Sequence, residues 1–239
     1  AYAGKYSAPD YERILAAGCT LAIENTMIYH TPEVKEQLER FGVPVLVERS
    51  SYESGPLARM EWIKLYAALL DKEDEAEALF NEKMDSVADV LEQQPTGKTV
   101  AFFYITSSGA VNVRKSTDYV AKCVAIAGGD YVSFDESAED NAQSTVNIQM
   151  ESFYHGAVDA DVLIYNSTIE GEIRTMDELI AKCPLLAQFK AVQNGNVWCT
   201  AQSLFQQSME LPDLILDMNR VFTEGTPADS ELTFLTHVE

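Results

Sequence analysis

The chain has 239 residues, 46% of them hydrophobic, enough to bury the core of one large domain or two smaller lobes. Thirty-eight acidic residues against seventeen basic ones give a formal charge of −21, which repels nucleic acid and anionic lipid and leaves no basic stripe to bind either. No apolar run is long enough to span a bilayer, and the abrupt start Ala1-Tyr-Ala-Gly-Lys5, without a basic stretch or an apolar stretch, reads as a trimmed beginning rather than an export signal.

Ser7 with Asp10 forms a capping-box pattern, and Tyr11, Ile14 and Leu15 then share one helical face until Gly18. Leu21–Glu24 is a short strand, and Asn25–His30 is the loop leaving its carboxyl end. Thr31 as N-cap, Pro32 at the first helical position and Glu33 in the first turn open a helix through Val34, Leu38 and Phe41 to Gly42. Val43–Val47 is a second strand, and this strand-loop-helix-strand order implies a parallel pair with a right-handed crossover.

The apolar spacing from Pro56 to about Gln94 predicts nearly uninterrupted helix, ended by Pro95-Thr-Gly97, which fits a rigid connector between two units. Strand and helix then alternate. The reading gives strand Thr99–Ile105, helix Tyr119–Ala127 ending at Gly128-Gly129, and a short strand near Tyr131–Phe134. Asp135–Ser144 is polar and reads as a surface loop. Helix Met150–Val158 leads to strand Val162–Asn166, and a Thr175/Glu178 capping box opens the next helix. An Asn194-Gly195 turn leads into strand Asn196–Thr200, and a last helix covers Leu211–Phe222. The fold class is therefore α/β, with parallel sheets covered on both faces, and function is sought in the loops after the strands.

Cys19, Cys123, Cys183 and Cys199 show neither a Cys-x-x-Cys pair nor zinc-ligand spacing and read as small apolar core residues rather than disulfide partners. There is no Gly-x-Gly-x-x-Gly, no Walker sequence and no paired-histidine motif, so no enzyme class is indicated, and no resident cofactor or metal is expected.

Several segments, in order, resemble the substrate-binding proteins of ABC importers for ferric siderophores, haem and cobalamin. These are Tyr6–Glu12 followed by Leu21–Glu24, Phe41-Gly-Val-Pro-Val45, Ala127-Gly-Gly129, Ala160-Asp-Val-Leu-Ile164 and Phe189–Trp198. Ser50–Lys64 is similar to a subgroup of anaerobe lipoproteins of that type. The resemblance implies two Rossmann-like lobes joined by one long helix with ligand held between them: residues 1–56 the remainder of the amino-terminal lobe, 57–94 the connecting helix and 95–239 the carboxy-terminal lobe. Family members begin with a further strand and helix, so the first lobe is expected to be incomplete. The implied partners are a small-molecule metal complex (ferric siderophore, haem or corrinoid) and a membrane permease. The implied protein is a monomeric, extracytoplasmic, lipid-anchored or periplasmic importer component. Two alternatives remain open at this level: a chelatase-like enzyme on metal tetrapyrroles, and a docking or scaffold protein without a functional cleft.

Candidate ligand contacts follow from the post-strand loops. Met27, Tyr29 and His30 offer a thioether, a phenol and an imidazole that suit iron or a macrocycle, although His30 equally suits a role in shaping the helix start. Arg49, Ser51 and Tyr52 follow the second strand; Arg49 either pairs with ligand carboxylates or neutralises Glu48 or Glu53. Arg114 and Lys115 form a basic pair in a very acidic chain and point to an anionic ligand, unless both are solvated surface. Asn166 and Ser167 follow another strand, and Phe205 and Gln206 follow the last, where a ring and an amide suit a ring-bearing ligand. His155 and His237, in a helix and a polar tail, are set aside. By resemblance, acidic residues on each lobe dock on permease arginines, with Glu33 the first-lobe candidate and Glu170 or Glu172 the second.

Overall fold

The first helix starts at Asp10, not Ser7. The Asp10 side chain accepts from the Arg13 N–H at 3.0 Å and caps α1 (Tyr11–Ala16), while the chain ahead of it forms a hairpin of β1 (Gly4–Lys5) and β2 (Ala8–Pro9). The computed structural model describes residues 2–53, 55–134, 144–225 and 231–239 and divides into two compact units, Ala1–Glu53 and Ser54–Glu239.

In the first unit, β3 (Ala22–Asn25) and β4 (Val45–Glu48) pair in parallel, with Asn25 opposite Glu48. Helix α2 (Pro32–Arg40) makes the crossover. Pro32 presets its first turn, and Val34 and Leu38, one turn apart, bury against Ile28 and Val43. Thr31 holds the N-cap position, but its hydroxyl makes no cap bond.

The helical stretch that opens the second unit is not one rod. It runs as α3 (Pro56–Met60), α4 (Ile63–Ala68), α5 (Glu73–Ser86) and α6 (Ala88–Leu91), so the continuous connecting helix expected from apolar spacing is corrected to four segments. The sharpest break is local chemistry. Asp71 adopts φ +54°, and the Lys72 N–H returns to the Ala67 carbonyl at 3.0 Å, which closes α4 as a left-handed residue closes a helix end. Glu73, Asp74 and Glu75 then place three carboxylates on the positive end of a new helix.

The remainder is a seven-stranded sheet. Its middle is parallel: β10 (Val197–Thr200), β9 (Val162–Tyr165), β5 (Lys98–Ile105) and β7 (Gly129–Tyr131). Three strands absent from the sequence reading, β6 (Val111–Arg114), β8 (Thr145–Ile148) and β11 (Leu235–His237), join it antiparallel around the parallel middle that the sequence reading expects. β6 follows β5 through a tight turn at Ser107–Gly109 and is too short and polar to declare itself. Residues 135–143, most of the expected surface loop, lie outside the described residues.

Alternation along the central strands feeds two cores. Val100, Phe102, Val162, Ile164 and Trp198 face α7 (Tyr119–Ile126) and α12 (Leu211–Glu224). Ala101, Phe103, Leu163, Tyr165 and Cys199 face α8 (Met150–Ala157) and the segment that carries α10 (Met176–Lys182) and α11 (Lys190–Gln193). Every residue of β9 is buried, as expected for a parallel strand covered on both faces. The Ala127-Gly-Gly129 sequence has a steric reason: Gly128 turns out of α7 at φ +89°, and a Cβ on Gly129 would meet the Phe222 ring at 2.8 Å. All four cysteines are free thiols, with Cys123 and Cys199 buried.

Candidate functional site

In the first unit both post-strand loops leave the same end of the parallel pair. The Asn25 side chain accepts from the Met27 N–H at 2.8 Å and bends the chain into a 3-10 turn, Thr26–His30. Ile28 anchors that turn in the core, which leaves Met27, Tyr29 and His30 facing outward, Tyr29 at 57% exposure. After β4 the Glu48 carboxylate accepts from the Ser50 N–H at 2.7 Å and starts a second 3-10 turn, Ser50–Tyr52. The Arg49 guanidinium lies 5.5 Å from the centroid of the Tyr52 ring, and Ser51 and Tyr52 are exposed. Thioether, phenols, imidazole and guanidinium thus crowd one end of one small unit.

In the second unit the chemistry gathers around α7. Asp118 caps this helix, its carboxylate accepting from the Val120 N–H at 2.9 Å. The next residue, Tyr119, lies under the Arg59 guanidinium at 4.6 Å and meets the Phe205 ring edge-on at 6.5 Å. Arg114 covers Phe205 at 4.5 Å and reaches the Asp118 carboxylate at 3.6 Å. The result is a ladder Arg59–Tyr119–Phe205–Arg114, supplied by α3, α7, β6 and the segment after β10, and closed by one carboxylate.

Burial sets the electrostatics of the ladder. Desolvation pushes the Asp118 carboxyl up from its ordinary value, while Arg114, the Val120 N–H and Arg59 pull it back. Burial pushes the Tyr119 phenol up to about 12 against the pull of both arginines, so the phenol stays protonated and neutral at physiological pH. Arg114 thus pairs with the one carboxylate of the cluster, and Arg59 acts on it only through its charge.

The structure treats the other sequence candidates unevenly. Lys115 is buried rather than solvated. Gln206 is exposed beside Phe205. Asn166 and Ser167 are both buried. Asn166 Oδ1 accepts from Thr168 to cap α9 (Ser167–Glu170), and the Ser167 hydroxyl donates to the Thr200 carbonyl. Both follow β9 directly, with these side-chain contacts made inside the unit.

Glu33 and Glu170 are exposed, and Ile169 beside Glu170 shows 62% of its surface to solvent. Glu172 is also exposed but pairs with Arg174 at 3.3 Å, and both line a cavity of about 420 Å³ beside β11 that is separate from the ladder. Arg59, Asp118 and Tyr119 escaped the sequence reading. Arg59 lies inside Ser50–Lys64, the segment with the most specific resemblance, and Asp118-Tyr119 follows the basic pair by three residues; either was a usable signal.

The sequence profile of the periplasmic binding protein family matches residues 2–204. This chain belongs to that family. It is 29% identical over 194 residues to an uncharacterized lipoprotein of Methanocaldococcus jannaschii, covering 80% of this chain and 45% of that protein. The chain spans less than half the length of the curated relatives it matches. Among solved structures, the periplasmic heme-binding protein HutB of Vibrio cholerae superposes with a TM-score of 0.71 at 21% identity, over 94% of this chain and 84% of that one. The periplasmic vitamin B12-binding protein BtuF of Vibrio cholerae superposes at 0.60 with 14% identity, over 93% and 82%. At these identities the likeness carries the fold, a mixed α/β architecture shared with two-lobed binding proteins.

Proposed function

We infer that this protein is the solute-binding component of an ABC importer, a carrier rather than a catalyst, which captures an iron complex or a tetrapyrrole or corrinoid outside the cytoplasmic membrane and hands it to a permease. Family membership sets the class. The observation that carries the ligand reading is the placement of ring and cation side chains at loops that leave parallel strands: Met27, Tyr29, His30, Arg49, Ser51 and Tyr52 in the first unit, and Arg114, Phe205 and Gln206 in the second. The structural relatives that bind heme and vitamin B12 support a large, metal-bearing, ring-shaped cargo. The lipoprotein relative supports a lipid-anchored location.

In this reading the protein works as a monomer, with the helices from Pro56 to Leu91 linking its two lobes. Glu33 and Glu170 carry the permease contact, with Glu172 a weaker participant because Arg174 already occupies it. Neither the chelatase-like nor the scaffold alternative gains a specific observation. The test is equilibrium titration with iron protoporphyrin, cyanocobalamin, cobinamide and ferric siderophores, followed by Tyr29→Ala and Arg49→Ala variants. Saturable binding weakened by either substitution supports the reading, and binding that ignores both removes the first-unit residues from it.

A further inference from the structure

Most ion pairs among the described residues join close neighbours in sequence, as Arg13 with Asp10, Lys35 with Glu39 and Arg114 with Asp118 do. Lys83 differs. From the last turn of α5 its ammonium reaches two carboxylates, those of Glu210 and Asp213, which stand 127 and 130 residues further along the chain. The Asp213 contact is 2.8 Å, and only 18% of the Lys83 side chain is exposed, so water and salt screen this cluster less than they screen the surface pairs.

The two carboxylates stand at the end of a particular segment. The chain that leaves β10 carries Phe205 to Arg114 and Tyr119, yet before α12 it forms only two 3-10 turns, Leu204–Gln206 and Ser208–Glu210. Its backbone bonds are local: the Leu204, Gln206 and Glu210 N–H groups donate to the Ala201, Ser203 and Gln207 carbonyls at 3.2, 2.8 and 3.0 Å. Leu204 pins the first turn in the core. At the far end Glu210 holds the N-cap position of α12, but its side chain makes no cap bond and goes to Lys83 instead. Helix α12 is held independently of this cluster. Leu214, Ile215 and Met218 are buried, and the Asn219 amide donates to Gln93 at 2.9 Å and to the Ala127 carbonyl at 3.1 Å. Lys83 therefore bears on the entry to α12 and on the segment in front of it.

Resting on the solute-binding reading above, we propose that Lys83 is a positioning residue for Phe205: by holding Glu210 it fixes the far end of the Phe205 segment to α5. Without the ammonium, Glu210 and Asp213 are left as like charges three residues apart, and the segment shifts to separate them. Phe205 then leaves its place beside Arg114 and Tyr119, and affinity falls although no group that touches the ligand has been changed.

The experiment has two arms and uses the 239-residue chain, Lys83→Met, Lys83→Arg and Glu210→Gln. Hydrogen exchange on the free proteins needs no ligand. Lys83→Met should speed exchange at Gln206 and Glu210 by about tenfold or more while Met218 in α12 is unchanged, and Lys83→Arg should restore the slower exchange. Glu210→Gln should speed exchange at Gln206 in the same way, which keeps this arm decisive even if Lys83→Met folds poorly. Unchanged exchange in this segment, or uniform acceleration through α12, overturns the proposal. In the second arm iron protoporphyrin, cyanocobalamin, cobinamide and ferric siderophores are titrated by tryptophan fluorescence. A probe that binds should lose roughly three- to tenfold in affinity in Lys83→Met, and little further when Lys83→Met is added to Phe205→Leu. An equal loss in both backgrounds overturns the proposal, because Lys83 then acts through something other than Phe205. Failure of every probe on the unsubstituted chain overturns the importer reading and the ligand half of this proposal with it, and the exchange arm still decides whether Lys83 places the segment.

Discussion

Arg114 lies 4.5 Å from the centroid of the Phe205 ring, and this contact ties the end of β6 to the segment after β10. Through Tyr119 on α7 the same ladder reaches Arg59 on α3, so four elements meet in one polar-aromatic cluster. A cation over a ring contributes about 0.5–2 kcal/mol according to how dry it is. That is too little to organise the unit, and the cores on both faces of the sheet do so.

Phe205→Leu keeps an apolar side chain but removes the ring. It should lower the stability of the free protein by under about 2 kcal/mol while weakening ligand binding several-fold. Thermal unfolding and ligand titration on the same sample separate the two effects, and a large stability loss with unchanged affinity would make Phe205 a core residue.

Gly129→Ala tests the steric reading of the Ala-Gly-Gly sequence. Its new Cβ would meet Phe222 at 2.8 Å, Val100 at 3.0 Å and Val124 at 3.1 Å. Overpacking of this kind costs about 1–3 kcal/mol. Denaturant unfolding should show that loss with an unchanged slope, and a neutral result would mean the ring moves aside freely.

Asp161 gives a pH dependence of known sign. Burial raises its carboxyl, but the Lys190 ammonium and the Thr99 N–H and hydroxyl outweigh that and hold it at about 2, below its ordinary 3.8. A lowered folded-state value stabilises the protein above 3.8, and that contribution is lost as pH falls from 3.8 through about 2. Acid titration of stability should slope downward in this window, and Asp161→Asn should flatten the slope while lowering stability at neutral pH.

Asp217 holds the entry to β11. One carboxylate accepts from the N–H groups of Thr233, Phe234 and Leu235, with Oδ2 at 2.9, 2.6 and 3.1 Å. Asp217→Asn presents an amide donor to donors and should cost about 1–3 kcal/mol. Hydrogen exchange should report faster opening of Leu235–His237 than of the central strands; uniform acceleration would place the effect elsewhere.

The legible part of the fold was whatever local pattern governs. The continuous apolar run at Val162–Tyr165 identified a strand buried on both faces, and Thr175 with Glu178 identified a capping box that the structure contains. What failed was non-local. β6 and β11 are strands because partners lie beside them, and neither carries enough apolar periodicity to be seen alone. The break at Asp71 was hidden because apolar spacing continues through it, and only a left-handed residue followed by three acids marks the stop. Among the candidate residues, proximity to a strand end singled out Arg114, Phe205, Tyr29 and Arg49 for their place in the chain, but it could not say that Asn166 and Ser167 are buried. Nor could it reveal that Arg59, some sixty residues from Tyr119, stacks on its ring.

The central claim, that this protein carries a metal complex for import, is tested most directly by thermal unfolding with and without iron protoporphyrin, cyanocobalamin, cobinamide and a panel of ferric siderophores. A ligand held only by the folded protein adds about 2.7 kcal/mol of stability when present at a hundred times its dissociation constant. A clear rise in Tm with one compound class, growing with its concentration, is the predicted result; unchanged unfolding with every compound at saturating concentration would contradict the claim.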